Sequence, residues 1–347
     1  MSASPAEHIG SKLFISCDLV GSTSHKQSAE KTEHWIPNFL RFYYDFPARV
    51  RENLQDDSLA PRLNFWKAVG DELIFTLDIQ TEADVFYTVN AWVAAMHQYE
   101  SELEQKNTEE GALKNKMKTK GGAFIATFPD PDYCVAVPTV PIDQDSERDV
   151  LVRNEEMKRR KLADGAYLKD YLGPSIDTGF RVVGQCTQRY FTLSLEVAWA
   201  MAHHQLHAEY KQKIDGLTLL SESPLKGVWN DRSYPIFAID RQHRDPIVEK
   251  LALVRGQASI PLMEVHELAE ACLVDSNWPS TVYFPKSAHE AFTRLKTHLT
   301  EQQSILDARF DRSGESVEEF TATADMTVND GARDPQAMAI APPATES

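Results

Sequence analysis

The sequence predicts an α+β domain in which an antiparallel-rich sheet packs against helices, and three observations support this fold class. Short apolar runs of strand length alternate with longer segments whose apolar residues recur every three or four positions. The dipeptide Gly70-Asp71 separates two of the strand-like runs, as in a tight hairpin between antiparallel strands. Finally, 42% of the 347 residues are hydrophobic and 25% are charged, which is typical of a globular chain with a substantial core.

The predicted elements follow the order strand, helix, hairpin, helix, strand, strand, helix, strand, which is that of a ferredoxin-like sandwich with additions. Strands are expected at residues 12–17, 63–69, 72–77, 121–128, 176–186, 217–220 and 234–239. Helices are expected around residues 35–50, 83–103 and 189–205.

The chain divides into a main domain and two additions. Residues 1–240 are expected to form the main domain, with the polar segment 138–166 inserted on its surface. Residues 241–306 have a helical pattern and are expected to form a small appendage. Residues 307–347 are rich in Asp, Ala, Thr and Pro with few large apolar residues, so a disordered tail is expected.

Composition excludes several classes of function. The net charge is −16, so the chain repels nucleic-acid backbones and no polynucleotide partner is expected. No run of about 18 apolar residues and no signal-peptide pattern is present, so we expect neither membrane insertion nor secretion. Four widely spaced cysteines indicate reduced, buried side chains, and the expected location is the cytoplasm.

Two carboxylates carry the predicted chemistry. Asp18 ends the first apolar strand, and Asp71 lies at the tip of the predicted hairpin. In a ferredoxin-like sheet the first strand lies beside that hairpin, so both side chains could reach one position. Two carboxylates, a backbone carbonyl and the oxygens of a triphosphate suit Mg²⁺ or Mn²⁺. Directly after Asp18, the turn of Gly21, Ser22 and Thr23 would offer N–H groups to phosphate oxygens.

The segments FISCDLVGST and KAVGDELIF resemble the two metal-binding segments of the class III nucleotidyl cyclases. The resemblance covers residues 12–78 and continues in weaker form to about residue 205. It implies that Asp18, Asp71 and the carbonyl of Leu19 hold two divalent ions. The ribose 3′-hydroxyl of a nucleoside triphosphate would then attack the α-phosphate and expel pyrophosphate. It also implies a head-to-tail homodimer whose metal-binding and base-contacting residues come from different protomers.

The resemblance also implies a base-binding half of the site. Lys67 occupies the place of a base-contacting lysine, and Asp177 can stand for the base-contacting acid. The family's Asn and Arg, one helical turn apart, would then fall near Gly184 and Gln188, so that pair is absent. The positive charge at the transition state is therefore expected from one of two other arginines, Arg181 or Arg189.

The segment GPSIDTGFR resembles the pyrimidine cyclases of the bacterial Pycsar anti-phage systems. This implies cyclic UMP or cyclic CMP as a second messenger acting on a separate effector. It also implies that a residue of the first helix narrows the pocket to a single ring, with Tyr43, Tyr44 and Phe42 as candidates. Lys67 and Arg181 can donate but not accept a hydrogen bond, which favours UTP over CTP. A cytidylate cyclase, an adenylate cyclase and a non-catalytic nucleotide sensor of the same fold stay open as alternatives.

Three other features are set aside. Glu72 follows Asp71 and is expected on the opposite face of the sheet, so it is not expected to bind the metal. His203 and His204 are interpreted as polar positions at the edge of a helix. The run from His266 to Glu270 begins like a zinc-protease helix but has glutamate in place of the second histidine.

Overall fold

The computed structural model describes residues 9–28, 32–109, 117–139, 149–159, 167–208, 214–254, 260–289 and 291–312. Its strands are β1 (Gly10–Val20), β2 (Leu63–Val69), β3 (Glu72–Asp78), β4 (Lys118–Phe128), β5 (Tyr133–Pro138), β6 (Tyr167–Leu172), β7 (Tyr190–Leu193), β8 (Leu217–Pro224) and β9 (Ser233–Asp240). Its helices are α1 (Ser22–Ser28), α2 (Thr32–Asn53), α3 (Glu82–Glu109), α4 (Val150–Arg159), α5 (Pro174–Val183), α6 (Leu195–His207), α7 (Pro246–Val254), α8 (Leu262–Leu273) and α9 (Ala291–Arg312).

The strands form a seven-stranded sheet in the order β2-β3-β1-β4-β7-β9-β8, and β5 pairs with β6 in a separate two-stranded sheet. The central strand β1 is antiparallel to both β3 and β4. Strands β4 and β7 run parallel, whereas β7, β9 and β8 are again antiparallel. The predicted α+β class with an antiparallel-rich sheet is therefore confirmed.

Alternate residues of β1 enter two different cores, because successive side chains of a strand point to opposite faces. Leu13, Ile15 and Cys17 belong to the larger core, which also contains buried residues of α2, α3 and α6. Phe14 belongs to a smaller core, where its ring stacks on Phe124 at 4.8 Å. Position 18 has the parity of Phe14, so Asp18 lies on the face of the sheet that carries the smaller core.

The strand predicted at residues 176–186 is wrong, because most of this segment forms helix α5. Gly173 precedes the helix with φ of +147°, a conformation that favours glycine, and Pro174 takes the first turn, where a missing N–H costs nothing. The residues of α5 that are buried include Ile176, Gly179 and Val183, whose spacing of three and four is helical.

The helix predicted at residues 189–205 is correct only in its later part. Residues Tyr190 to Leu193 form strand β7, and α6 begins at Leu195. Aromatic and β-branched residues favour strands, and here Thr192 pairs with Gly122 of β4 on one side and with Ala238 of β9 on the other. These partners are distant in sequence, so the local pattern did not reveal the strand.

The polar segment predicted as a surface insertion contains helix α4, and β5 and β6 pair on either side of it. Within α4, Val152 and Glu155 are buried, and the amide of Ala136 in β5 donates to the side chain of Asn154 at 2.9 Å. The helix therefore packs against the two-stranded sheet. The remaining parts of the predicted insertion, 140–148 and 160–166, lie outside the described residues.

The C-terminal segment is helical as predicted and also packs into the larger core. Trp278, Phe284 and Leu299 are buried there, and the amide of Ser11 donates to the carbonyl of Tyr283 at 3.0 Å. The proposed domain boundary after residue 240 stays a prediction, although many contacts cross it. Helix α9 continues to Arg312, beyond the start predicted for the tail, and residues 313–347 lie outside the described residues.

Among the residues that the structure describes, no helix combines the length and apolar character needed to span a bilayer. Cys17, Cys134 and Cys272 are buried, as predicted, and Cys186 is half-buried.

Candidate active site

Asp18 lies near the C-terminal end of β1, where the ladder places it directly opposite Lys120 of β4. The Nζ atom of Lys120 is 3.2 Å from Oδ2 of Asp18, whose side chain is 25% exposed. The amide of Leu19 also donates to this carboxylate. Asp18 is therefore fixed by its neighbours yet open to solvent on one side.

Asp71 lies at the tip of the β2–β3 hairpin, as predicted. Gly70 has φ of +65°, which the turn requires, and its carbonyl accepts a hydrogen bond from the Tyr43 hydroxyl. The Nζ atom of Lys26 is 3.6 Å from Oδ1 of Asp71. The other oxygen, Oδ2, is buried and has no hydrogen-bond partner among the described residues. A buried carboxylate oxygen without a partner is costly unless a cation or ligand binds it.

The two carboxylates are close enough to influence each other electrostatically. Burial and then the charge of Asp71 raise the pKa of Asp18, and the hydrogen bond from Lys120 opposes this shift. Burial lowers the pKa of Lys120, but the hydrogen bond and charge of Asp18 outweigh it, so that this pKa is raised overall. The structure thus brings together the two carboxylates that the sequence singled out.

The expectation that Glu72 lies away from this pair is wrong. Glu72 and Ile74 are two positions apart on β3, so they lie on the same face of the sheet. Ile74 pairs with Ser16 of β1, which is on the same face as Asp18, so Glu72 lies on the face of Asp18 too. Burial raises the pKa of Glu72, and the charges of Asp18 and Asp71 add to the shift. Three carboxyl groups therefore share this end of the sheet.

The turn after β1 has the open backbone expected of a phosphate-binding segment. Gly21 has φ of +86°, and a Cβ atom at this position would find no atom within 4 Å. The glycine is therefore required by its backbone conformation, and the space above it is open. Ser22 is buried and begins α1, Thr23 is exposed, and the amide of His25 donates to the carbonyl of Gly21 at 3.0 Å.

Lys67 is paired with an acid that the sequence analysis did not name. Its Nζ atom donates to both oxygens of Asp170 in β6, at 3.0 and 3.3 Å, and lies 3.9 Å from the ring centre of Trp66. The indole N–H of Trp66 donates to the carbonyl of Lys169 at 3.3 Å, which holds β2 against β6. The acid beside Lys67 is therefore Asp170 and not Asp177.

Asp177 and Arg181 lie one turn apart on the exposed side of α5. The Nη1 atom of Arg181 donates to the carbonyl of Asp177 at 2.7 Å. Arg181 forms no ion pair with an acidic side chain among the described residues, so its charge stays available to a ligand. Arg189 differs, because its guanidinium donates to both oxygens of Asp240, at 2.9 and 2.6 Å. This fork geometry occupies Arg189 in joining β7 to β9.

Sequence reasoning missed Lys26, Lys120 and Asp170, and it set Glu72 aside. Lys120 could have been found only from the pairing of β1 with β4, and Asp170 only from the contact between β2 and β6. The position of Asp170, three residues before the start of GPSIDTGFR, was the available signal. Tyr43 was predicted to face the base, but its hydroxyl supports the turn before Asp71.

A cavity of about 910 Å³ lies elsewhere, against α3 and the end of β9, and its lining includes Asn53, Tyr87, His97, Arg241 and His243. None of the predicted site residues lines it. Among the described residues, no group of three or more His, Cys, Asp or Glu side chains is placed to hold a metal ion as it stands.

No protein-family model and no curated protein matches this chain. Among solved structures, the adenylyl cyclase CyaB from P. aeruginosa aligns with 12% identity and a TM-score of 0.47, over 69% of this chain and 97% of that one. The guanylyl cyclase Cya2 aligns with 15% identity and a TM-score of 0.41, over 67% and 93%. The guanylate cyclase domain of RhGC from Catenaria anguillulae in complex with GTP aligns with 9% identity and a TM-score of 0.41, over 68% and 100%. Likenesses at this level leave activity and substrate to be argued from the residues of this chain.

Proposed function

We propose that the chain is a metal-dependent nucleotidyl cyclase that converts a nucleoside triphosphate to its 3′,5′-cyclic monophosphate and pyrophosphate. The observation that carries the proposal is the meeting of Asp18 and Asp71 beside the open turn at Gly21, with Oδ2 of Asp71 buried and unpartnered. A pair of carboxylates next to a phosphate-sized turn suits a metal–triphosphate complex better than it suits a structural role.

The residues present fit divalent cations. Asp18, Asp71 and the carbonyl of Leu19 would hold Mg²⁺ or Mn²⁺, since these hard ions prefer oxygen ligands. When bound, the ions neutralise phosphate charge and activate the attacking ribose hydroxyl. Lys26 and Lys120 now balance the two carboxylates at 3.6 and 3.2 Å. Once the carboxylates hold an ion, both ammonium groups would be free to bind phosphate oxygens.

The protein would contribute mainly by positioning the triphosphate and stabilising the charge that develops on it. The 3′-oxygen forms a bond to the α-phosphorus, the bond from that phosphorus to pyrophosphate breaks, and the hydroxyl proton leaves to solvent. The amides of Gly21, Ser22 and Thr23 would hold the phosphates as the new negative charge develops on pyrophosphate. Arg181, whose guanidinium donates to the carbonyl of Asp177, would stabilise the charge at the reacting phosphorus.

We further propose that Lys67 and Asp170 contact the base. The pair offers one donor and one acceptor side by side, and uracil offers the matching carbonyl O4 and N3–H. Together with the segment resembling pyrimidine cyclases, this supports UTP as substrate and cyclic UMP as product. The same pair also fits N1 and the amino group of adenine, or N3 and the amino group of cytosine, which keeps an adenylate or cytidylate cyclase as the second candidate.

The order Asp170, Asp177, Arg181 fits the family's Asp, Asn, Arg pattern better than the assignment made from sequence. Asp177 and Arg181 are one helical turn apart, as the Asn and Arg of that pattern are. Asp177 would then take the place of the ribose-contacting residue rather than that of the base-contacting acid. In this assignment Arg181 stabilises the transition state, and Arg189 keeps its ion pair with Asp240.

The site is proposed to form between two copies of the chain. The main charges acting on Asp18 are those of Asp71 and Lys120, and neither Lys67 nor Arg181 is among them. We propose that the metal-binding half of one chain works together with the base-contacting half of its partner. A head-to-tail homodimer would bring the halves together twice.

An exposed apolar surface supports this dimer. Leu168, Asp170 and Leu172 share one face of β6, because they alternate along the strand. Leu168 is 62% exposed and Leu172 is 59% exposed, on either side of the acid that binds Lys67. Exposed apolar side chains grouped around a functional pair are typical of an interaction surface.

The biological role proposed is second-messenger signalling during phage infection, in which the cyclic nucleotide activates a separate effector. The segment GPSIDTGFR, which resembles the pyrimidine cyclases of Pycsar systems, supports this role. The role would be tested by phage challenge of bacteria expressing the chain with its effector, together with mass-spectrometric detection of cyclic UMP after infection.

The activity is tested by incubating purified protein and Mn²⁺ separately with UTP, CTP, ATP and GTP, and identifying products by mass spectrometry. The expected result is cyclic UMP and pyrophosphate from UTP, with little product from the other three. Preferred formation of cyclic AMP or cyclic CMP would select the second candidate. Binding of a triphosphate without pyrophosphate release from any of the four would reject the cyclase and favour a nucleotide sensor.

A further inference from the structure

The cavity of about 910 Å³ against α3 and the end of β9 is separate from the proposed active site. Small-molecule sites in proteins commonly have volumes of about 300–1,000 Å³, so this space has the size of a ligand site. Its described walls come from the end of α2, one face of α3, the turn before β8 and the segment that follows β9. None of the groups proposed to bind the triphosphate lines it.

One end of the cavity gathers basic side chains, although the net charge of the chain is −16. Arg241, His243 and Arg244 follow β9, and His97 of α3 lines the same cavity. Partial burial and then the charge of Arg241 lower the pKa of His97. His243 and Arg244 lower it further, whereas the charge of Glu100 opposes the shift. Basic groups held this close together favour a ligand of negative charge.

Arg241 contributes a guanidinium that is fixed in place, with a side chain only 2% exposed. Its Nη1 atom donates to the carbonyls of Thr119 and Gln188, at 2.7 and 3.0 Å. Its Nη2 atom donates to Oε1 of Glu100 at 2.8 Å. The Nε atom is buried and has no hydrogen-bond partner among the described residues. A buried donor left unpaired is costly, and the acceptor oxygen of a ligand would remove that cost.

The imidazole of His243 has a second unsatisfied polar atom on the cavity wall. Its Nδ1 atom is 2.7 Å from the carbonyl oxygen of Asp240, and it must carry a proton because a carbonyl only accepts. The Nε2 atom is buried without a hydrogen-bond partner in the described part of the chain. Oδ2 of Asp215 is 4.0 Å from it, which is too far for a hydrogen bond. An anion nearby favours the protonated ring, in which Nε2 also donates.

Arg244 lies at the solvent side of the same end, with a side chain that is 81% exposed. Its Nη2 atom is 2.7 Å from Oδ2 of Asp215. An exposed ion pair of this kind contributes little to stability, so Arg244 can exchange Asp215 for a ligand at small cost.

The remainder of the cavity suits the body of an organic molecule. Tyr87, Asn90, Ala91 and Ala94 recur every three or four positions, so they share one face of α3. The two alanines leave space that larger side chains would fill. Asn90 is half-buried and offers an amide donor and an amide acceptor, and buried Ile239 adds an apolar surface.

We propose that this cavity binds a small organic phosphate of nucleotide size. Its phosphate would lie against Arg241, His243 and Arg244, and its body would lie on the face of α3. The three terminal oxygens of a phosphate match three basic side chains better than the two oxygens of a carboxylate do. This second ligand site does not depend on the proposed cyclase activity.

Binding is tested by isothermal titration calorimetry of the full chain with AMP, UMP and inorganic phosphate. EDTA is present, so that no divalent ion can join a phosphate to Asp18 and Asp71. We expect saturable binding of at least one monophosphate, at one equivalent per chain and more tightly than inorganic phosphate. The corresponding nucleoside, adenosine or uridine, should bind about 10-fold more weakly or less, because it makes no charge-assisted hydrogen bonds.

Two variants locate the binding in the cavity. R244A removes a cation and leaves Asp215 unpaired, whereas A94F fills the face of α3 without changing the charge. Each should weaken binding of the monophosphate by about 10-fold or more. Circular dichroism checks the fold, and R244A alone decides if A94F does not fold.

Each variant has a matched control. R232A controls for R244A, because Arg232 is also exposed and lies 2.7 Å from an aspartate, Asp275, but does not line the cavity. A48F controls for A94F, because Ala48 is exposed on α2 outside the cavity. Both controls should bind like the parent chain. No saturable binding of AMP or UMP by the parent chain, equal affinity for the nucleosides, or unchanged affinity in R244A would overturn the proposal.

Discussion

The two halves of the candidate active site differ in how their charges are balanced. In the metal half, Asp18 and Asp71 are each faced by an ammonium group, Lys120 at 3.2 Å and Lys26 at 3.6 Å. In the base half, Lys67 and Asp170 neutralise each other, and Arg181 forms no ion pair with the acids that the structure describes.

In the proposed homodimer, each half would be completed by the other half from the partner chain. The metal half has negative charge to offer a cation but no arginine for a developing phosphate charge. The base half has that arginine, and its acid Asp170 is occupied by Lys67. The following predictions test this division, beginning with the largest expected effect.

Replacing Asp18 by asparagine should abolish cyclic nucleotide formation, because it removes a ligand from the metal half of the site. The variant keeps the shape of the side chain but loses a charge that a divalent ion requires, so kcat should fall by about 10³-fold or more. The measurement is cyclic nucleotide formation with Mn²⁺, and circular dichroism checks the fold. The control is D57N, which removes an exposed carboxylate in the loop after α2 and should retain full activity.

Replacing Lys67 by methionine should weaken binding of the nucleotide base and leave metal binding by Asp18 and Asp71 unchanged. A hydrogen-bond donor to the base is lost and Asp170 is left unpaired, so kcat/KM for the preferred nucleotide should fall by about 10²-fold. Preference among the four triphosphates should fall with it. An unchanged preference in this variant would show that Lys67 and Asp170 do not contact the base.

Introducing a charge at the exposed face of β6 should separate the two copies. The variant L172E places a carboxylate beside Asp170 on the proposed interface, and activity at low protein concentration should fall by about 10-fold. Sedimentation velocity should show a shift from dimer to monomer. The control V254E changes a residue of α7 that is 85% exposed and should leave both the dimer and the activity intact.

The metal half was predictable from sequence because its parts are close along strands that pair directly. Asp18 follows a contiguous apolar strand, Asp71 follows a glycine in a hairpin, and the β1–β3 ladder joins them through Cys17 and Leu73. The base half was only partly predictable. Lys67 and Asp170 are 103 positions apart, and their contact depends on how β2 packs against β6.

The elements of the second half of the fold were also harder to predict from sequence, because they depend on partners that are distant along the chain. Helix α5 was mistaken for a strand because its apolar residues are few and the turn at Gly173 and Pro174 was not recognised as a helix start. Strand β7 has four residues, and its identity depends on β4 and β9.

The division of the active site between two copies is tested most directly by combining two inactive variants. Chains carrying D71N and R181A are co-expressed with different tags, and the mixed dimer is purified through both tags. Each variant alone should be inactive, whereas the mixed dimer should have about half the wild-type activity, since one of its two sites contains no substitution. A mixed dimer as inactive as its parents would show that both halves act within a single chain, and would contradict the account.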